Sequence, residues 1–146
     1  MAVTTKMYSH FQEHLMNGLF VALSSETAIK CSLHTVTYVP DQDADDFWDD
    51  CTNEVVGAGY THEGDTVTTT TISLAGRVMT FDCDNPQWTT ASFTARIAVF
   101  FDSTEAADGD KPLICYVDFG EDKVVEGGTF ELQVNASGLF TATAAA

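Results

Sequence analysis

The segment SFTARIAVFFD, residues 92–102, alternates large apolar side chains with small or polar ones. Successive side chains of a β-strand point to opposite faces, so this period of two predicts a strand with an apolar face. The face is expected to consist of every second residue: Phe93, Ala95, Ile97, Val99 and Phe101. A chain built around such a segment must cover that face with other strands.

The same period recurs along the rest of the chain. Strand-like runs occupy residues 27–36, 65–83, 112–120, 129–135 and 139–143, with turn signals at Ala75-Gly76 and in the NASG sequence after residue 134. Seven to eight short strands with one short N-terminal helix predict a mainly β fold, either a β-sandwich or a jelly-roll-like barrel. The length of 146 residues suits a single β-rich domain, 1–146.

The N-terminal segment, residues 1–20, contains the helix. Residues 6–18 are predicted to be helical, because Thr4 and Thr5 offer N-cap oxygens and Gly18 supplies a stop.

Histidines and cysteines are candidate metal ligands. His10 and His14 have the i, i+4 spacing of two ligands on one helical face, but no third ligand is identifiable nearby in the sequence. We therefore interpret them as surface or partly packed residues and predict no metal site. The four cysteines contain no CxxC pair, which disfavours a zinc knuckle, and they are expected to be reduced and packed.

Charge is the strongest compositional signal. The net charge is −16, and no Lys or Arg occurs between Lys30 and Arg77, an interval with nine acidic residues. Such a chain repels phosphate groups, so nucleic acid and anionic membranes are not expected partners. Two interpretations of the acidic region remain open: it keeps the protein soluble, or it docks a basic partner.

The N-terminus is a poor signal peptide, because Glu13, two histidines and Asn17-Gly18 interrupt any apolar stretch. No run of 18 apolar residues occurs anywhere in the chain. Synthesis in the cytoplasm of a host bacterium is the expectation.

The longest irregular stretch, residues 39–64, begins with the acidic run PDQDADDFWDDC. A calcium loop of the EF-hand type needs Gly at position 6 and a bidentate Glu at position 12. Counted from Asp41, those positions hold Asp46 and Thr52, so the loop fails at both. A loop of this length is usually functional or held by a partner.

Phe47 and Trp48 stand in the middle of this acidic run. One interpretation is that their rings pack into the protein and leave the carboxylates in water. The other is that they form an exposed aromatic hot spot for a partner. The residues predicted to contact a partner are Tyr8, Phe11, Asp43, Asp45, Phe47, Trp48 and Asp49.

Catalysis is not expected. Ser24, Ser25 and Ser32 have no recognisable nucleophile motif around them, and neither GxGxxG nor a P-loop occurs. A string of aspartates in one loop does not supply the two facing carboxylates of a glycosidase. The sequence thus predicts no enzyme, no catalytic residue and no cofactor.

Four segments carry a resemblance, and together they span most of residues 2–143. In chain order they are AVTTKMYSHF, IKCSLHTVTYVPDQDADDFWDDCTNEVVGAGYT, TARIAVFFD and DKPLICYVDFGEDKVVEGGTFELQVNASGLFTAT. In their order and spacing, these segments resemble a family of small virion proteins encoded by tailed bacteriophages and prophages.

The resemblance implies a structural role on the capsid exterior: a decoration, or cement, protein that binds the major capsid protein and neighbouring copies of itself, for example as a trimer. Residues 1–20 and 39–54 are the expected contact regions. One alternative is a tail or baseplate component that faces a receptor and binds glycans through Tyr38, Phe47, Trp48 and Tyr60. A third is a soluble host-directed protein absent from the virion.

Overall fold

The computed structural model describes residues 2–20, 23 and 28–146; Met1 and the Ser24-Ser25 pair considered above lie outside them. The described elements are eight strands, one α-helix and two 3-10 helices. In chain order they are β1 (Thr4–Met7), α1 (Ser9–Met16), β2 (Ile29–His34), a 3-10 helix (Trp48–Asp50), β3 (Asp65–Thr66), β4 (Thr71–Ala75), β5 (Val78–Asp82), β6 (Gln87–Asp102), a second 3-10 helix (Asp108–Asp110), β7 (Leu113–Glu131) and β8 (Phe140–Thr143). No described helix has the length and apolar character needed to cross a bilayer.

The strands form two antiparallel sheets. One has the order β1-β7-β6-β2-β3, and the other has the order β4-β5-β8. The sheets are not closed into a barrel, so the sandwich prediction is confirmed and the barrel alternative is wrong. The long β6-β7 pair forms the spine of the larger sheet, with a register that runs from Gln87 opposite Glu131 to Phe101 opposite Leu113.

The alternation predicted that the apolar side chains of β6 share one face, and this prediction is wrong. The register with β7 shifts between Ala95 and Ile97. Ala95 lies opposite Lys123 but Ile97 lies opposite Asp118, and an irregularity of this kind, with an odd number of unmatched residues, can reverse the facing of the residues beyond it. Phe93 and Ala95 therefore pack in the core between the two sheets, whereas Ile97, Val99 and Phe101 pack on the opposite side of the larger sheet.

The larger sheet is thus covered on both faces. The inner core, between the sheets, includes Leu33, Phe81 and Phe100. The outer core, on the other face, brings β6 and β7 together with residues from the N-terminus and the acidic stretch: Tyr8, Tyr38, Trp48, Cys51, Ile97, Val99, Phe101, Leu113 and Tyr116. The acidic stretch accordingly acts as a third layer over the sheet.

The N-terminal helix is shorter than predicted. Residues 4–7 are a strand that pairs with β7, where Thr4 lies opposite Asp118 and Met7 opposite Cys115. The helix begins at Ser9, after Tyr8 in an extended conformation, so Thr4 and Thr5 are not its N-cap. β-Branched residues fit a pleated strand well, and here a sheet edge is available to pair them.

The C-terminal hairpin predicted around NASG is also wrong. Strand β7 ends at Glu131, and the turn closes with the amide of Gly138 donating to the carbonyl of Asn135 at 2.8 Å. The chain then enters β8, which pairs with β5 in the smaller sheet. The turn therefore moves the chain between sheets. By contrast, the Ala75-Gly76 turn is confirmed, since it joins β4 to β5 with Ala75 opposite Val78.

Candidate functional site

Trp48 anchors the acidic stretch to the larger sheet. Its indole Nε1 donates to the hydroxyl of Ser32 at 3.1 Å, and its ring stacks on Phe101 with centroids 5.3 Å apart. The side chain is buried. Of the two interpretations of the aromatic pair, packing is the one the structure supports for Trp48. Phe47 is half-buried and stacks on the ring of His14 at 4.8 Å.

Ser32 also contacts His34, in an arrangement with the look of a nucleophile and its base. The hydroxyl Oγ lies 2.9 Å from His34 Nε2, and His34 Nδ1 lies 2.8 Å from the carbonyl oxygen of Thr52. That carbonyl can only accept, so Nδ1 carries the proton and Nε2 accepts from Ser32. Both side chains are fully buried, so no substrate reaches them. The pair serves to hold Trp48.

A second buried network joins the N-terminus to the acidic stretch. Tyr38 donates its hydroxyl proton to Asp45 at 2.8 Å, and its oxygen lies 3.0 Å from Tyr8 Oη and 3.3 Å from Cys51 Sγ. Tyr38 has one proton, so Tyr8 and Cys51 donate to it. Burial raises the pKa of the Cys51 thiol to about 12, which keeps it protonated as a donor.

Half of the six aspartates hold the loop itself. Asp41 accepts from the amides of Asp43 and Ala44, both at 3.1 Å. Asp50 accepts from the amide of Asp46 at 3.0 Å. Asp45, beyond its bond to Tyr38, accepts from the amide of Asp41. Carboxylates that bind backbone amides are structural groups, because they satisfy donors that an irregular segment would otherwise leave unpaired.

Four aspartates of the run are exposed, Asp41, Asp43, Asp49 and Asp50, but in the described part of the chain the carboxylates of Asp43 and Asp49 hold no backbone amide. Asp43 is exposed and accepts from the hydroxyl of Ser9 at 2.5 Å. Asp49 is exposed beside Gly109, where a Cβ would lie 3.2 Å from its carboxylate oxygen. These two groups present negative charge to the outside, and they are the members of the run best placed to meet a partner.

The structure divides the predicted contact residues into two groups. Tyr8, Phe11 and Trp48 are buried inside the chain, so the prediction that they contact a partner directly needs correction. Their large rings pack in the two cores, where the removal of apolar surface from water stabilises the fold. Exposed or half-buried positions remain for Asp43, Asp45, Phe47 and Asp49.

His10, His14 and Asp46 come together between α1 and the acidic stretch. Each offers one ligand atom, and these atoms all lie within 4.8 Å of one another. The third ligand missing from the sequence is thus Asp46, 32 positions after His14 in the chain. Only the folding of the acidic stretch onto the helix brings it close, and no local sequence signal could have found it.

Burial shifts the pKa values of two members of this cluster, His14 and Asp46. Burial lowers the pKa of His14, despite the opposing effect of the nearby Asp46 carboxylate, so the imidazole is neutral at pH 7. Burial raises the pKa of Asp46, and contact with the Asp50 carboxyl raises it further. His10 Nδ1 lies 3.1 Å from Glu13 Oε2.

Lys111 closes the other side of the acidic stretch. Its buried ammonium bonds to Glu63 and, at 2.7 Å, to Asp108, and it lies 5.5 Å from the centre of the Trp48 ring. Glu63 also accepts from Lys30 at 2.5 Å. Burial alone would raise the pKa of Glu63, but the two ammonium groups outweigh burial and hold the pKa below its usual value.

Strand β4 carries apolar side chains outside either core. All five of its residues are exposed, and Leu74 and Ile72 keep 73% and 43% of their accessible surface. It is also an edge strand of the smaller sheet, because among the described strands it pairs with β5 alone. A strand edge with unpaired backbone groups is a template for pairing with another chain.

Comparisons of the chain with protein-family models, with curated proteins and with solved structures find no match. A functional assignment therefore rests on the chemistry of the chain's own residues.

Proposed function

We propose that the protein is a virion structural protein of a tailed bacteriophage, specifically a capsid decoration protein that binds and stabilises the major capsid shell. The exposed apolar edge strand β4 is the observation that carries the proposal. A decoration protein needs a surface that repeats the same contact at symmetry-related positions, where weak contacts add through multivalency.

The shape of the β4 edge suits such a contact. In an antiparallel pair, Ile72 lies opposite Phe81 and Leu74 opposite Met79, so the two exposed side chains share one face of the sheet. On that face, Phe81 is buried in the inner core, whereas Leu74 lies outside the core and is exposed. A neighbouring subunit that packs there buries apolar surface and gains strand pairing in one contact.

Charge supports the same proposal. A protein with a net charge of −16 is repelled by packaged DNA, and its free copies repel one another before assembly. Asp43 and Asp49 add exposed negative charges that a basic region of a capsid shell complements.

The tail alternative requires aromatic rings that a glycan can reach, and two of its four aromatic residues are buried. Sugar-binding sites on a receptor-facing protein need aromatic rings at the surface. Here Tyr38 and Trp48 are buried, whereas Phe47 and Tyr60 are half-buried, and the hydroxyl of Tyr60 is engaged with Glu54 at 2.7 Å. Within the described residues, no specific observation favours glycan binding over capsid binding.

Quantitative mass spectrometry of purified particles tests the proposal. Virions produced from the genome that encodes this chain should contain hundreds of copies, and particles that lack the protein should lose resistance to heat or osmotic shock. Three, six or twelve copies per virion, with unchanged particle stability, would assign the protein to the tail. Absence from the virion would assign it to the host cell.

A pair of variants tests the surface. Replacing Ile72 and Leu74 by Lys should abolish particle binding while leaving the fold intact, because neither side chain belongs to a core. The matched control is Val124→Lys, which changes another exposed apolar residue on β7. If the variant with Lys at positions 72 and 74 binds particles as well as the Val124→Lys variant does, β4 is not part of the interface.

A further inference from the structure

We propose that His10, His14 and Asp46 form a binding site for a divalent late first-row transition metal ion, with Zn²⁺ as the expected occupant. The site does not depend on the proposed capsid role. Two histidines one turn apart on α1 face a carboxylate from the acidic stretch, and the three ligand atoms lie within 4.8 Å of one another. None of the three residues contributes to the buried networks around Ser32 and Tyr38.

The donor set selects the metal. Imidazole nitrogen is a good ligand for Zn²⁺, Ni²⁺ and Cu²⁺, whereas Ca²⁺ and Mg²⁺ prefer all-oxygen sites. A tetrahedral ion about 2.0–2.1 Å from each ligand would hold neighbouring ligand atoms about 3.3 Å apart. The cluster therefore closes by up to about 1.5 Å on binding. His10 and Asp46 are partly exposed, so a water molecule can take the fourth position.

The supporting contacts have the form found around metal ligands. A ligating histidine usually donates its other ring N–H to a carboxylate, which fixes the ring. His10 makes this contact with Glu13 at 3.1 Å through Nδ1, which leaves Nε2 for the metal. Asp46 is held by its backbone: its amide donates to Asp50 at 3.0 Å, and its carbonyl accepts from Leu113 at 3.0 Å.

His14 gives the independent reason to expect a ligand. Its side chain is 6% exposed, and its Nδ1 is buried with no hydrogen-bond partner in the described part of the chain. Buried polar atoms are nearly always satisfied, so an orphaned ring nitrogen in a cluster with a second histidine and a carboxylate calls for an explanation. A bound metal ion engages the imidazole, and stacking on Phe47 holds the ring in place.

A metal ion here would fasten two elements that are far apart in sequence. It would join α1, which follows edge strand β1, to the acidic stretch that covers the outer core. Binding to the folded protein alone shifts the unfolding equilibrium by mass action, so the melting temperature should rise with metal concentration. The ion would also neutralise part of the charge where Asp46 and Asp50 lie together.

Isothermal titration calorimetry with ZnCl₂ on the full, untagged chain tests the proposal. One ion should bind per chain, and neither Ca²⁺ nor Mg²⁺ should compete at equal concentration. His10→Ala and Asp46→Asn should each weaken binding at least about 100-fold, and Glu13→Gln about 10-fold. His62→Ala is the matched control, because His62 is an exposed histidine bonded to Glu54 and outside the cluster, and it should bind like the wild type.

Cobalt substitution identifies the ligands directly. Co²⁺ at this site should give visible d–d bands without the near-ultraviolet thiolate charge-transfer band that the cysteines would produce. Near-ultraviolet circular dichroism should confirm that each variant is folded. No saturable binding, a thiolate signature, or equal affinity in His10→Ala and the wild type would overturn the proposal, as would equal loss in His62→Ala.

Discussion

The indole nitrogen of Trp48 donates a hydrogen bond of 3.1 Å to the hydroxyl of Ser32, and this contact fastens the acidic stretch to strand β2. The hydroxyl lies 2.9 Å from His34 as well, so one serine holds both an aromatic anchor and a buried imidazole. The polar side chains of Ser32 and His34 on β2 would ordinarily face water, but here the acidic stretch packs over them and buries them. This relationship explains how a run of aspartates stays ordered against an apolar sheet.

Removing that hydroxyl should destabilise the protein. Ser32→Ala leaves the Trp48 N–H and His34 Nε2 without their shared partner in a buried site, and the expected cost is about 1–3 kcal/mol in the free energy of unfolding. Chemical denaturation measures it. Ser73→Ala, on the exposed strand β4, is the control and should change stability by less than about 0.5 kcal/mol. A similar effect at both positions would contradict the anchoring role of Ser32.

The buried ammonium of Lys111 should matter more than an exposed one. Lys111→Met removes the buried cation between Glu63 and Asp108 and leaves the partly buried Glu63 carboxylate with Lys30 as its remaining cationic partner, so the expected loss is about 1–3 kcal/mol in denaturation experiments. The control is Lys123→Met, because Lys123 pairs with Glu121 at the surface and should contribute about 0–1 kcal/mol. Equal losses of unfolding free energy in the two variants would show that the burial of Lys111 does not increase its contribution to stability.

His34 should resist protonation. Burial lowers its pKa, although the Thr52 carbonyl and Glu54 both act in the opposite direction. The unfolded chain therefore binds more protons than the folded chain below pH 6.5, and the free energy of unfolding should fall as the pH drops through that value. NMR titration of the His34 ring should show the neutral form at pH 6.5. A midpoint at or above 6.5 would contradict this.

Gly64 should be far less replaceable than Gly76. Both have positive φ angles, 79° and 62°, but a Cβ at Gly64 would overlap the carbonyl oxygen of Cys31, whereas Gly76 has no neighbour within 4 Å. Gly76→Ala should cost about 1–2 kcal/mol from the left-handed backbone alone. Gly64→Ala should cost more than about 3 kcal/mol, because a clash with backbone adds to that strain. Thermal unfolding of the two variants measures both losses of stability, and an equal loss in the two would contradict the clash at Gly64.

The exposed aspartates should govern the salt dependence of particle binding. Asp43→Asn with Asp49→Asn should weaken binding and flatten its dependence on ionic strength, because these carboxylates face outward. Asp45 is left unchanged, since it accepts from Tyr38. The control pair is Asp122→Asn with Glu126→Gln, two exposed acidic residues on β7. An unchanged salt response would assign Asp43 and Asp49 to solubility.

Much of the fold could be predicted from the sequence, because alternation is a local property. The period of two located most strands, and the Ala75-Gly76 turn was correct because a two-residue hairpin depends on its own residues. The errors were non-local. Residues 4–7 became a strand because β7 offered an edge, and the face of β6 was divided by a bulge that depends on its partner strand.

The candidate site was predictable only in part. The sequence identified an acidic stretch with an aromatic pair and offered packing as one of two interpretations, and the buried Trp48 of the structure agrees with that interpretation. It could not show that Tyr8, 40 positions earlier, would lie in the same outer core. Nor could it identify Asp46 as the third member of the histidine cluster, since contacts between distant segments carry no local pattern.

By itself, the sequence determined the β class, the net charge and the failure of the calcium-loop pattern, because each depends on composition or on spacing within a short segment. Tertiary structure alone decided which aspartates face water, which histidines are buried and what the polar side of β2 touches. The physical reason is that a residue is buried by segments that are distant in sequence. Ser32 and Trp48 are 16 residues apart, and only the folded chain brings them into contact.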